Sequence, residues 1–312
     1  MIVVKLGGST ITDKTKPLTA RRQNIASMVR AVARICGGGG RSGSNGGGDQ
    51  EPVVVVHGGG SFGHYWSVKY DMHTAERSYD LAGVATVKNS MVQLSLIILE
   101  EMLKGGAKPY ALPPAGFMAG PSPIPSRVSE MGLIAESGMV PVTYGDAVWY
   151  GKGDKTYILS GDRIVTHLAR IMRPRLCIFA LGEDGLYDDM ESRRLVETVT
   201  ASEAARLARG QAQVRSGVGS KVGDTMMTGG TTATAATAAD AITTSAAAGN
   251  VMDVTGGMTR KVAEAAAITD LGTPVAFVNG TSPDRMLDAA AGRRFKGTLF
   301  EGREGLKEKN KA

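Results

Sequence analysis

Val53–Trp66 reads VVVVHGGGSFGHYW. Four β-branched residues in a row have the composition of a buried strand, and they run straight into a glycine cluster. Gly58, Gly60 and Gly63 carry the G-x-G-x-x-G spacing of a dinucleotide-binding turn, a weak signal on its own. A histidine stands at each end of the loop, His57 and His64. The loop therefore holds a dinucleotide's pyrophosphate, holds a phosphate that will react, or is only a tight turn. Glu76 and Asp80 lie near the distance expected of a ribose-binding acid, which favours the first reading. Against it, His64, Tyr65 and Trp66 follow the last glycine, where a dinucleotide fold wants a small-residue helix close to the strand.

The first strand ends the same way. Ile2–Leu6 is strand-like and closes on Gly7-Gly8-Ser9. Without a Cβ, backbone can approach a phosphate and successive N–H groups can form an anion nest, reinforced by a following helix N-terminus. Two such turns at consecutive strand ends suggest two anionic groups held face to face. Lys5 lies inside the buried-looking strand, where an unpaired ammonium is costly, and can point at a ligand or snorkel at an edge. Lys14 follows Ile11-Thr12-Asp13 and is placed either at the same site or on an exposed loop. Ser160-Gly161-Asp162 opens a helix, where both polar residues suit a cap; Asp162 could alternatively orient lysines or hold Mg2+. Asp253–Lys261 repeats the pattern of glycine turn, then helix, then lysine. Glycine nests, dispersed lysines and one organising aspartate are what phosphoryl transfer needs. No Walker-A sequence occurs, and Gly217–Lys221 has the wrong spacing for one.

Around these motifs, short apolar strands alternate with helices. Helical spacing of Ile25, Met28, Val29 and Val32 predicts a helix over Arg21–Ile35, and further helices are expected over Val84–Lys104, Ser160–Met172 and Lys261–Thr269. Strands are expected at Val53–Val56, Pro109–Leu112, Val140–Tyr144, Arg175–Leu181 and Pro274–Asn279, with a short helix opening at Asp284. This alternation predicts an α/β fold with a mainly parallel sheet covered on both faces. Residues 37–50, rich in Gly and Ser, read as a flexible insertion, and 226–250 is a low-complexity Ala/Thr/Gly tract.

Composition narrows the partners. The net charge of +6 fits anionic ligands, but the cations are dispersed and aromatics are only 5%, so nucleic-acid binding is not expected. Cys36 and Cys177 form no C-x-x-C pair, and a reducing cytoplasm is the simplest expectation. No signal-peptide pattern and no bilayer-spanning apolar run is read from the sequence.

KLGGS, HGGGSFGH, VPVTYGDAV, SGD and DVTGGM-x-x-K, in this order, resemble the amino acid kinase superfamily and, within it, the isopentenyl phosphate kinases. The resemblance runs from Met1 to about Phe300. It implies an open three-layer αβα sandwich, with residues 1–180 as a lobe binding the phosphate acceptor and 181–312 as a lobe binding ATP. A homodimer is also implied. The implied reaction converts isopentenyl phosphate and ATP to isopentenyl diphosphate and ADP in isoprenoid biosynthesis, with Mg2+ as cofactor. Carried over residue by residue, Lys5 and Lys261 contact the ATP phosphates, assisted by Lys14 and positioned by Asp162. Gly7, Gly8, Ser9, Asp184, Gly185, Tyr187, Gly256 and Gly257 surround the nucleotide. Gly58, Gly59, Gly63, Ser160 and Gly161 belong to the acceptor site, where His64 binds the acceptor's phosphate.

That chemistry is self-consistent. A phosphate monoester has its second pKa near 6 and is largely dianionic at neutral pH, so it is nucleophilic without a general base. The task left to the protein is to bring two anions in line, which lysines and backbone N–H groups can do. His57, ahead of the nest, reads as structural; His73 and His167 have no assigned partner. Val84, Val87, Met91 and Leu94 share a helix face that is either core or the wall of a tail pocket. A fosfomycin-type phosphonate kinase, a uridylate kinase, a non-catalytic nucleotide-binding protein and a dinucleotide oxidoreductase are the competing readings.

Overall fold

The computed structural model describes residues 1–37, 50–72, 77–149, 155–189, 192–218 and 256–303, with backbone alone at 210–218 and 256. The low-complexity tract, nearly all of the glycine insertion, His73, Glu76 and Asp253 lie outside these residues.

In chain order, β1 (Ile2–Leu6) leads through α1 (Gly8–Ile11) to α2 (Arg22–Cys36), β2 (Val53–His57) and α3 (Gly60–Lys69). After β3 (Arg77–Ser78) comes the long α4 (Leu81–Lys104), then β4 (Pro109–Ala111), β5 (Met118–Ala119), β6 (Ser122–Pro123), α5 (Pro125–Glu136) and β7 (Val140–Tyr144). A hairpin, β8 (Asp146–Trp149) and β9 (Lys155–Leu159), precedes α6 (Gly161–Met172) and β10 (Leu176–Leu181). The chain finishes with β11 (Tyr187–Asp189), β12 (Arg194–Leu195), β13 (Thr198–Val199), α7 (Ala201–Val218), α8 (Gly256–Thr269), β14 (Val275–Asn279), α9 (Asp284–Ala290) and β15 (Gly297–Phe300).

Eight strands form the central sheet in the order β13-β15-β14-β10-β1-β2-β7-β4. Every pair is parallel except β14–β15. Strand alternation divides the core in two. Ile2, Val4 and Leu6 face α2, α4 and α9 through Met28, Leu94, Ile98 and Met286. Val3, Val54 and Val56 face α5, α6 and α8 through Met131, Val165 and Val262. The fold is thus the expected αβα sandwich. Because β2, β4 and β7 lie to one side of β1 while β10 and β14 lie to the other, strand order reverses at β1. In open α/β sheets ligands bind outside the carboxyl ends of the strands at such a point.

Two expectations need correcting. Gly7-Gly8-Ser9 is more than a turn, since Gly8–Ile11 is a single helical turn with Thr10 Oγ1 donating to Gly7 O at 2.6 Å. Helix α4, moreover, is long and apolar enough to cross a membrane by length and composition, contrary to the expectation that no such run exists. Its apolarity has a packing cause: Val87, Met91, Leu94, Ile98 and Met102 are buried against the sheet.

Candidate functional site

The carboxyl ends of β1 and β2 meet through their glycines. A Cβ on Gly8 would stand 2.5 Å from Gly60 N, and one on Gly58 would stand 2.9 Å from Gly8 N. Gly60 has φ +49°, and its Cβ would fall 1.9 Å from Thr12 Oγ1. Glycine is therefore required here so that two turns can touch, before any ligand is considered. The backbone N–H groups of Gly8, Ser9, Gly59 and Gly60 have no partner among the described residues. They open the first turns of α1 and α3, where helix geometry leaves donors free. Gly59 and Gly63 back onto Met91: a Cβ on either would be 3.1–3.2 Å from its Sδ.

Three of the charged residues singled out in the sequence converge. Lys5, 4% exposed, pairs with Asp162, 7% exposed. Lys261 Nζ lies 4.0 Å from Asp162 Oδ2 and donates to Gly257 O at 3.0 Å. Alternation along β1 turns Lys5 toward α6, and Asp162 sits in the first turn of that helix. Ser160, not Asp162, caps α6: its hydroxyl accepts from Arg163 N at 3.2 Å. Burial would raise the Asp162 carboxyl, but the charges of Lys5 and Lys261 prevail and hold it below its ordinary value. Burial, joined by the charge of Lys5, lowers the Lys261 ammonium to about 8. The Lys14 charge acts on Lys261 in the same direction, although Lys14 itself is exposed.

His64 is exposed in the second turn of α3. His57 is fully buried beneath the loop, stacked on Tyr144 at 5.0 Å, with Nε2 unpartnered among the described residues. Burial lowers its imidazole to about 4, which fits the structural reading of this histidine.

The Asp184-Gly185-Leu186-Tyr187 segment follows β10 and is tied into its own network. Asp184 accepts from Asn279 at 3.0 Å and Arg285 at 2.6 Å, and pairs with Lys296 at 2.6 Å. Arg193 donates to the Tyr187 hydroxyl at 2.9 Å. The segment joins the first turn through Gly182, where a Cβ would lie 3.4 Å from Ser9 Oγ. Arg285 and Lys296 were not foreseen, because nothing local in the sequence marks them.

A cavity of about 600 Å³ has walls that include Val84, Lys88, Met118, Ala147, Trp149 and Thr156, and of these only Val84 was singled out in the sequence as a possible pocket wall. Of the four apolar residues on the α4 face, Val87, Met91 and Leu94 are core and Val84 alone lines this cavity. Met91 touches the glycine loop; Lys88 and Val84 lie three and seven residues earlier. At about 1.5 Å per residue the cavity begins within about 10 Å of the nest. Two signals pointed there: Asp146 within VPVTYGDAV, and Lys88 as the lone cation in the apolar stretch from Val84 to Glu100.

No group of three or more His, Cys, Asp or Glu side chains gathers among the described residues. Asp162 is already engaged by lysines. The donors among the described residues do not form a protein-held Mg2+ cage.

A mainly parallel αβα sheet carrying an acid-bridged lysine pair beside facing glycine turns defines a phosphotransferase of a particular type. The chain belongs to the amino acid kinase family, whose family model matches residues 1–245. Its relatives make the kinship narrower. Isopentenyl phosphate kinase of Thermoplasma acidophilum is 30% identical over 190 residues, covering 60% of this chain and 69% of that one. The isopentenyl phosphate kinase of Methanothermobacter thermautotrophicus is 25% identical over 319 aligned positions, covering 97% and 100%. A crystal structure of the T. acidophilum enzyme shares the fold, with a TM-score of 0.64 at 23% identity, over 96% of this chain and all of that one. The chain is accordingly a kinase acting on a phosphate group.

Proposed function

We propose that this kinase transfers the γ-phosphoryl group of ATP to isopentenyl phosphate, giving isopentenyl diphosphate and ADP, as a step of isoprenoid biosynthesis by an alternative mevalonate route. The observation that carries the reading is the Lys5–Asp162–Lys261 cluster beside N–H groups at two glycine turns that have no partner among the described residues, with a largely apolar cavity beginning one helix face away. Such a site can neutralise two facing anions and house a short hydrocarbon tail, with no general base required.

In this reading Lys5, Lys14 and Lys261 hold the ATP phosphates and the moving phosphoryl group, while Asp162 keeps the lysines in position. Gly58, Gly59 and Gly63 with His64 take the acceptor phosphate, and the Ser160-Gly161 turn closes that side. Gly7, Gly8 and Ser9, the 256–257 turn and the Asp184–Tyr187 segment belong to the nucleotide side. Asp184 serves there by bracing the loop through Asn279, Arg285 and Lys296. Residues 1–180 then form the acceptor lobe and 181–312 the nucleotide lobe. No described side chain is assigned to Mg2+, which would supply further charge neutralisation to the nucleotide's phosphates. A cytoplasmic homodimer completes the reading.

The test is a coupled ADP-release assay with isopentenyl, dimethylallyl and geranyl phosphates and fosfomycin. The highest kcat/KM is expected for isopentenyl phosphate. A preference for fosfomycin would transfer the assignment to a phosphonate kinase, and no ADP release with any acceptor would leave a nucleotide-binding protein.

A further inference from the structure

Lys261 reaches the charged cluster loosely. Its ammonium stands 4.0 Å from Asp162 Oδ2, and its hydrogen bond goes to Gly257 O, one turn back on the same helix. Where that ammonium lies is therefore set by where α8 lies against α6. Much of this packing is apolar: Val165, Leu168 and Ala169 share one buried cluster with Val262, Ala265 and Ile268. Apolar burial has no direction. The alanine run Ala265–Ala267 also offers little relief to stop one helix sliding along the other.

A polar bond supplies the stop. Thr166, 1% exposed, donates its hydroxyl to Glu264 Oε2 at 2.5 Å. A helical threonine can return that hydrogen to a carbonyl of its own preceding turn; here it is spent across the interface. The Glu264 side chain is 13% exposed, and its other oxygen has Arg163 Nη1 3.8 Å away. On α8, Glu264 stands three residues after Lys261; on α6, Thr166 stands four after Asp162. Each spacing keeps its pair on one helix face, so the Thr166–Glu264 bond lies one turn behind the Asp162–Lys261 contact. The far end is pinned in the same register. Arg173 donates to Leu271 O at 2.6 Å, and both bonds join residues 98 positions apart.

We propose that Glu264 is a positioning residue: anchored by Thr166, it fixes the register of α8 on α6 and so holds Lys261 at the transferring phosphoryl group. The proposal rests on the assignment of Lys261 given above and deepens it. Glu264 acts through Lys261, not on the phosphates, so its loss should weaken the chemical step and leave acceptor binding alone.

The test uses the full chain with ATP and isopentenyl phosphate. Glu264→Met removes the acceptor, Glu264→Gln keeps an oxygen for Thr166, and Thr166→Val removes the donor; a thermal melt checks that each is folded. Glu264→Met is expected to lower kcat about tenfold or more, with the KM for isopentenyl phosphate within about twofold of native, and Glu264→Gln to recover most of that loss. Thr166→Val should match Glu264→Met, and the double variant should lose little more than either alone. The pH profile separates position from charge. Burial, with Lys5, Lys14 and Arg260, lowers Lys261 to about 8 against the pull of Asp162. Removing the Glu264 charge alone would move the alkaline limb down, because a nearby carboxylate favours the ammonium. Slipping out of the buried site moves it up, toward the ordinary lysine range. The limb should therefore rise in Glu264→Met and Thr166→Val and not in Glu264→Gln. Should Glu264→Met fail to fold, Thr166→Val decides alone. Native kcat with an unmoved limb in the folded variants overturns this proposal and leaves the kinase reading intact, as does an equal loss in all three. No ADP release by the native chain with isopentenyl phosphate overturns the acceptor reading and this proposal with it.

Discussion

Lys261 is wanted as a cation by the phosphoryl group it would meet, yet burial and Lys5 push its proton off near pH 8. Its charged form is the one depressed, so the free enzyme loses that charge as pH rises through about 8. The kcat/KM–pH profile should therefore carry an alkaline limb near that value. Lys261→Arg, whose guanidinium stays charged, should remove the limb while keeping measurable activity. In the proposed reading His64 would act at the same scale from an exposed position. His64→Ala should lower kcat/KM for isopentenyl phosphate at least a hundredfold with an unchanged thermal melt; near-native kinetics would rule out its contact with the acceptor. His57 concerns stability instead. It is neutral in the fold down to about pH 4, while in the unfolded chain it binds a proton near 6.5. Its stabilising contribution is thus complete above 6.5 and lost as pH falls toward 4, by about 3 kcal/mol. Denaturant melts between pH 7 and 4 should show this loss, and His57→Phe should flatten part of it. His167, likewise lowered to about 4 by burial, accounts for a further share.

Among the elements, the glycine turns behave as packing devices. Gly60→Ala would set a Cβ onto Thr12 and the Gly8 carbonyl at a φ of +49°. It should cost about 2–4 kcal/mol in a denaturant melt. Gly257 opens α8 with nothing among the described residues within 4 Å of a Cβ position, so Gly257→Ala should shift stability by less than about 1 kcal/mol. Comparable losses at the two positions would show that the turns do not pack as described. Helix α4 reads in sequence as one apolar stretch, but the fold gives its faces different duties: Met91 backs the glycine loop, Lys88 and Val84 line the cavity, and Leu94 and Ile98 fill the core.

Over the whole molecule, the outer face of α4 is left apolar. Val92, Leu96 and Leu103 are 44%, 54% and 64% exposed, a helical stripe that a second copy of the chain would cover. Sedimentation should accordingly give a dimer, and Val92→Glu/Leu96→Glu should yield a folded monomer; an unaltered dimer would place the contact elsewhere. The two sides of the site come from distant parts of the chain. Lys5 and Asp162 are joined across β1 and α6, and Lys261 arrives from α8.

Much of this was legible beforehand. β-branched runs bounded by glycine specify strands by local sterics and burial, which is why Val53–His57 and Val140–Tyr144 fall where expected. A lysine inside a buried strand or an aspartate opening a buried helix beside a glycine turn stands out because an unpaired buried charge is costly. The antiparallel β15 and the small β3-β9-β8 sheet were not anticipated, since short strands carry too little periodicity to separate from loops. The sequence by itself determined the strand–helix alternation, the glycine turns and which charges were too costly to be idle, since each follows from local backbone preference or from desolvation. Only the tertiary structure decided that Lys5, Asp162 and Lys261 form one cluster, that Asp184 is braced by three partners, and that Lys88 and Thr156 share one cavity wall. Those contacts join residues as far apart in sequence as Lys5 and Asp162, and such separations close only when the sheet and its helical layers bury their apolar faces together.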